Sequence, residues 1–228
     1  MSTGHEPTPT APEAVAVPPA ESSDAAPVAA PGAEPPIPDR VYRLSIDQYN
    51  TMVEAGCFQT GDLVQPKLEL LEGVLVTMSP TFPPHRRIVD KLMYWAVDTF
   101  DRDRYRVSVQ NPVEVHPSLS EPEPDILIYQ ETTDLRHPNE KDVRLLIEVA
   151  DSSLHHDLTQ KARIYARGGV PEYWVVDIAN RKLHTHRHPQ GDAYTELHVI
   201  AAAGEATPLV AESAVLRLAE LFAVLDQA

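Results

Sequence analysis

Asp125 and Glu148 are acids set against apolar runs. Asp125 opens the stretch Ile126-Leu127-Ile128-Tyr129, and Glu148 lies inside Leu145-Leu146-Ile147-Glu148-Val149. A carboxylate in such surroundings is costly unless a cation or a metal pairs with it. If the two runs are neighbouring strands, both carboxylates converge at one end of a sheet. Two hard oxygen donors with room for water suit Mg²⁺ or Mn²⁺. Such an ion polarises a phosphoryl oxygen and acidifies a bound water, which is the demand of phosphodiester hydrolysis. The structural alternative is that Asp125 caps a turn after Pro124 while Glu148 pairs with an arginine such as Arg144.

Two further residues bear on this chemistry. Lys161 stands one helical turn after Asp157. It either reaches over the metal to orient water or forms an exposed pair with Asp157, worth about 0.2–0.5 kcal/mol. Spacing alone favours the exposed pair. Glu69 alternates with Leu68 and Leu70 and is a candidate third acid, although alternation alone turns it to solvent.

The elements that must position these residues follow from periodicity and punctuation. Ser45 caps a short helix that stops at Gly56, and residues 57–66 read as a loop. Residues 68–79 read as a hairpin turning at Glu72-Gly73, broken by Pro80, Pro83 and Pro84. His85 to Phe100 is an amphipathic helix with Ile88, Leu92, Trp95 and Ala96 on one face. Tyr105 to Val115 alternates as a strand with Pro112 near its end. Residues 126–129 and 143–149 read as central strands separated by a polar loop, 130–142. His156 to Arg167 is a helix with Leu158, Ala162, Tyr165 and Ala166 inward, ended by Gly168-Gly169 and Pro171. Strand 172–177 follows. Segments 183–188, 194–200 and 214–218 then read as an antiparallel meander, with a closing helix near 218–225. The alternation implies an α/β mixed sheet with helices on both faces.

Composition divides the chain. Residues 1–40 hold ten of the 22 prolines, no aromatic residue, and six acids against one base. Such a Pro/Ala-rich acidic tail cannot bury enough apolar surface to offset its ordering entropy, so disorder is expected. The folded domain is then 41–228. Of the net charge of −15, the tail accounts for −5, leaving −10 on the domain. That balance argues against a non-specific nucleic-acid binder, apart from the basic clusters Arg86-Arg87-Lys91 and Arg102-Arg104-Arg106. The single cysteine, Cys57, excludes an intrachain disulfide. No apolar leader or membrane-length run is present, so a cytoplasmic protein with no membrane contact is expected. His184, His186 and His188 alternate on one strand. Two or three imidazoles there suit a transition metal, but a solvated strand face is the simpler reading.

The motifs LELLEG (68–73), MSP followed by His85, Gln110-Asn111-Pro112-Val113, EPDILIY (123–129), LLIEVADSS (145–153) and DLTQKARIYARGGVPEYWVVD (157–177) together resemble the Uma-two family of restriction-endonuclease-like proteins. That family belongs to the PD-(D/E)XK nuclease superfamily, and the resemblance covers roughly 41–225. It implies a restriction-endonuclease-like mixed sheet flanked by helices. Asp125 then corresponds to the superfamily's Pro-Asp aspartate and Glu148 to its second metal-binding acid. The superfamily lysine stands two residues after that acid, where this chain has Ala150. The resemblance moves its role to Lys161 on the following helix, flanked by Asp157 and Tyr165. Glu69 matches an acid on the first core element, Gln110 a polar residue near the site, and His85 a family-typical histidine.

The expectation is a metal-dependent endonuclease acting on nucleic acid, with DNA as first choice. Asp125, Glu148 and Glu69 would hold Mg²⁺ or Mn²⁺, and Lys161 would position or activate water. A homodimer is expected on the ground that one site cuts one strand. The alternative is a nuclease-fold binding or regulatory module without useful catalysis, motivated by the acidic balance and the displaced lysine.

Overall fold

The structure is a computed structural model and describes residues 1, 41–58, 67–78, 81–131 and 137–226. The expected disordered tail lies outside the described residues apart from Met1, as do 59–66 and 132–136 of the two expected loops.

Helix α1, Ile46–Glu54, begins at a complete capping box. Ser45 Oγ accepts from Gln48 N at 3.2 Å, and Ser45 N donates to Gln48 Oε1 at 2.9 Å. Strands β1 (Leu68–Leu71) and β2 (Val74–Thr77) form the expected hairpin. Its turn residues Glu72 and Gly73 have φ 49° and 78°, the left-handed pair a two-residue connection requires. A Cβ on Gly73 would stand 2.6 Å from Arg43 Cβ, so glycine is also needed for close approach.

Helix α2 runs from Pro83 to Thr99, two residues earlier than the expected start at His85. Pro83 and Pro84 do not precede the helix; they form its first turn, where the missing N–H groups cost nothing. Strand β3 is confined to Arg106–Val109. The expected continuation to Val115 fails because Gln110 turns into the left-handed region, with φ 51°.

Strands β4 (Ile126–Tyr129) and β5 (Val143–Ala150) follow. Helix α3 (Leu154–His156) passes through a π-helical turn, Asp157–Lys161, into helix α4 (Ala162–Gly168). Gly169, with φ 76°, ends it. Strands β6 (Glu172–Asp177), β7 (Lys182–Gln190) and β8 (Ala193–Ala201) complete a six-stranded sheet in the order β3-β4-β5-β6-β7-β8. Only β5 and β6 are parallel; every other neighbouring pair is antiparallel.

The last expected strand does not join this sheet. Leu216–Arg217 (β10) pairs instead with Glu205–Ala206 (β9) in a separate ribbon and leads into helix α5, Leu218–Phe222. Leu216 and Leu218 are drawn to the core under α2, which leaves β8 as the sheet edge.

Helices cover both faces, as expected. Ile88, Leu92 and Ala96 of α2, with Leu218 and Leu221 of α5, pack on Ile126, Ile128, Leu145, Ile147 and Trp174. On the opposite face Ala162, Ile164, Tyr165 and Ala166 of α4 pack on Leu127, Leu146, Tyr173 and Val175. Strand alternation therefore turns Glu148, with Leu146 and Ala150, toward α4.

Candidate active site

The register Ile126↔Ile147 between β4 and β5 places Asp125, one residue before β4, across from Glu148. Asp125 is anchored on both oxygens. Oδ2 accepts from Val149 N at 2.9 Å and contacts His85 Nε2 at 3.1 Å; Oδ1 accepts from Gln110 Nε2 at 3.1 Å. The left-handed turn at Gln110 that ends β3 serves this contact, and Gln110 N also bonds the Asp125 carbonyl at 3.2 Å. His85 comes from the first turn of α2. Burial opposes its charge, but the hydrogen bond and charge of Asp125 prevail, so its pKa rises.

Glu148, Lys161, Glu69 and Tyr165 form a second, connected group. Lys161 Nζ lies 2.9 Å from Glu148 Oε1 and 3.0 Å from Glu69 Oε1. Tyr165 donates its hydroxyl to the same Glu148 oxygen at 3.0 Å. Glu69 Oε1 also accepts from Glu123 N at 2.7 Å. All four residues are buried, so the expectations of a solvent-facing Glu69 and an exposed Asp157–Lys161 pair both give way. Arg144 does not serve Glu148: its guanidinium bonds the Lys141 and Val143 carbonyls and Gln130.

The π turn has an identifiable cause. The Asp157 carbonyl accepts from Ala162 N, five residues on, and from the Tyr173 hydroxyl at 3.1 Å. A side chain bonded into the helical ladder displaces it, and π turns recur at functional sites. Lys161 closes this turn and Tyr165 follows it, so both reach one oxygen. Asp157 is buried beside them and accepts from Ser153 Oγ at 2.6 Å.

Electrostatics tie the two groups together. Burial would depress Lys161, but Glu148, Glu69 and Asp157 outweigh it and hold the side chain as an ammonium. Burial pushes Glu148 well above the ordinary carboxylate range; Lys161 pulls it back, while Asp157, Asp125 and Glu69 push it further up. Burial raises Asp157 as well. Four carboxylates thus share one lysine and one histidine, and the site is short of positive charge. Its donors are hard oxygens, which fits a divalent cation such as Mg²⁺. Among the described residues, however, no three His, Cys, Asp or Glu side chains stand in metal-binding geometry in this arrangement, where Lys161 sits between Glu69 and Glu148.

All eight residues singled out in the sequence therefore lie in these two hydrogen-bonded groups or, for Asp157, beside them. Ser153, Tyr173 and the Glu123 and Val149 amides were missed, because nothing in spacing reveals a hydroxyl or backbone donor brought in from another element. Among the described residues the histidine strand forms no metal centre, and it is not the solvated face expected either, because only His188 is exposed. His186 is buried between Tyr173 and Tyr194, His184 lies 3.8 Å from Asp177, and His188 faces Glu196 at 3.5 Å.

A mixed sheet with helices on both faces, carrying opposed acids at the β4–β5 pair and a lysine delivered by the next helix, defines a restriction-endonuclease-like α/β fold. The fold is shared with a putative nuclease belonging to DUF820 from Anabaena variabilis, at TM-score 0.62 and 16% identity, covering 80% of this chain and 99% of that one. A type IIG restriction endonuclease, BpuSI, matches at TM-score 0.38 and 17% identity over 68% of this chain and 18% of that one. The chain belongs to the Uma2 family, described as "putative restriction endonuclease", whose model matches residues 57–219. No curated protein matches the sequence.

Proposed function

We propose that this protein is a divalent-metal-dependent endonuclease that hydrolyses phosphodiester bonds of DNA in the cytoplasm. The observation that carries the reading is the placement of Lys161. Helix geometry brings to Glu148 the cation that the strand itself, with Ala150 two residues on, does not supply. Asp125 and Glu148 would hold Mg²⁺ or Mn²⁺, with Glu69 as the third acid; the ion supplies an acidified water and charge for the phosphoryl oxygens.

The protein's own residues do the rest. His85, Gln110 and the Val149 amide fix the Asp125 carboxylate. Lys161 stays an ammonium under the pull of three carboxylates, so it acts by orienting water and offsetting charge on phosphate rather than as a base. Tyr165 orients Glu148.

A second reading, a nuclease-fold module without turnover, draws on one fact. Lys161 engages the Glu148 and Glu69 oxygens that a metal would use. The test is cleavage of single- and double-stranded DNA and RNA with Mg²⁺ or Mn²⁺, beside Asp125→Ala, Glu148→Ala and Lys161→Ala. Metal-dependent cleavage of DNA by the wild type, reduced at least about 100-fold in each variant, is expected. Equal activity in wild type and the acid variants would remove the assignment. Binding without turnover under every metal would favour the second reading.

A further inference from the structure

We propose that the outer edge of β8 is the joint of a homodimer, in which two copies of this strand pair antiparallel about a two-fold axis at Leu197. The two edges of the main sheet are unlike. β3 is four residues long and carries Arg106, which is ion-paired with Glu131. Shortness and charge are the usual protection of an edge. β8 runs nine residues, Ala193–Ala201, without Pro, Gly, Lys or Arg. Among the described residues its hydrogen-bonded neighbour is β7 alone. Leu197 and Val199 on this strand are 61% and 60% exposed. A long edge with exposed apolar side chains and no Pro, Gly or Lys is a template for another strand.

The strand's own sequence, AYTELHVIA, identifies which strand fits. Antiparallel pairing about Leu197 sets Glu196 opposite His198 of the partner subunit, and the two-fold repeats that contact. Thr195 falls opposite Val199 of the partner subunit, while Tyr194 stays packed against Tyr173 and His186 of its own chain. A carboxylate facing an imidazole, and β-branched side chains facing each other, are combinations that stabilise neighbouring strands. Moving the axis to Glu196 would oppose that carboxylate to itself, which is destabilising. Within one copy Glu196 already lies near His198 at 3.1 Å, His188 at 3.5 Å and Arg187 at 3.8 Å, so the carboxylate meets the joint in a basic setting. The Leu197 and Val199 side chains of both copies then form one apolar stripe across the joint, an isologous contact that closes at two chains. β6 and β7 separate β8 from Glu148 of β5, so assembly is readable apart from catalysis.

Sedimentation velocity of the full chain over about 1–100 µM, the range suited to a small joint, tests the pairing. A species of twice the chain mass is expected at the upper end. Leu197→Lys/Val199→Lys, both at exposed positions, should weaken the dimer at least about tenfold without changing the thermal melt. His198→Glu alone should also weaken it, by facing Glu196 with a second carboxylate. The exchange Glu196→His/His198→Glu should restore it, because the two-fold swaps both partners. A monomer at every concentration, a dimer indifferent to the lysine pair, or an exchange that restores nothing overturns the proposal.

Discussion

Glu148 and Glu172 are buried glutamates in neighbouring parallel strands, and they are satisfied in opposite ways. Glu172 is saturated. Its Oε1 accepts from Trp174 Nε1 and Arg187 Nε, each at 2.8 Å, and its Oε2 accepts from Leu209 N at 2.7 Å. Arg187 also donates to the Thr207 carbonyl, so the group ties β6 to β7 and to the segment beyond β9. Burial lifts the Glu172 carboxyl, and these donors pull it back. At Glu148 the hydrogen bonds from described residues converge on one oxygen, Oε1, and three further acids raise its pKa beyond what burial does. A buried acid whose oxygens are all used pins structure. One left short of cations has capacity for a ligand.

The largest expected effect sets these two residues against each other. Glu148→Gln should lower nuclease turnover at least about 1000-fold, because it removes a charged oxygen donor from the reacting site. Its melting point should change little, since the amide oxygen can still accept from Lys161 and Tyr165 and Lys161 keeps Glu69 as a charged partner. Glu172→Leu should do the reverse: a loss of about 3 kcal/mol in urea denaturation, by stripping Arg187 of its partner, with turnover per folded molecule retained. If Glu172→Leu abolished turnover at unchanged stability, saturation would not separate the two roles.

Tyr165→Phe sharpens the contrast at one hydrogen bond. The hydroxyl reaches Glu148 Oε1, while the ring packs on Tyr173 with centroids 4.8 Å apart. Removing the hydroxyl leaves Lys161 in place, so a fall of about tenfold in kcat with little change in KM is expected. An unchanged kcat would reduce Tyr165 to a core residue.

This contrast also marks how far the sequence is legible. The hairpin at Glu72-Gly73, the helix cap at Ser45 and the apolar central strands are local, and each was read within a residue or two. The pairing of Asp125 with Glu148 followed from strand adjacency, and the placement of Lys161 from family resemblance. Its geometry did not follow, because it depends on a π turn caused by the Tyr173 hydroxyl, an element away. The fate of 216–217 was missed for a similar reason: two residues carry too little pattern to show which edge they join. Glu172 drew no attention in the sequence because its partners Arg187 and Leu209 come from later segments.

Two histidines extend the comparison to pH, with the smallest expected effect. His85 is raised by its contact with Asp125, whereas His186 is lowered to about 4, first by burial and then by the nearby His184. His186 is therefore neutral in the folded protein, while the unfolded chain protonates near the ordinary value of 6.5. A lowered folded pKa contributes stability that is present above pH 6.5 and is lost as pH falls toward 4. His186→Phe keeps a ring against Tyr173 and Tyr194, at centroid distances of 5.4 and 5.7 Å in the wild type, and cannot titrate. Urea denaturation at neutral pH and at mildly acidic pH should show the wild type losing about 1 kcal/mol more than the variant. Equal losses would mean that the imidazole is solvated enough to titrate normally. His186 would then stand with the accessible groups of the site rather than with the saturated core around Glu172.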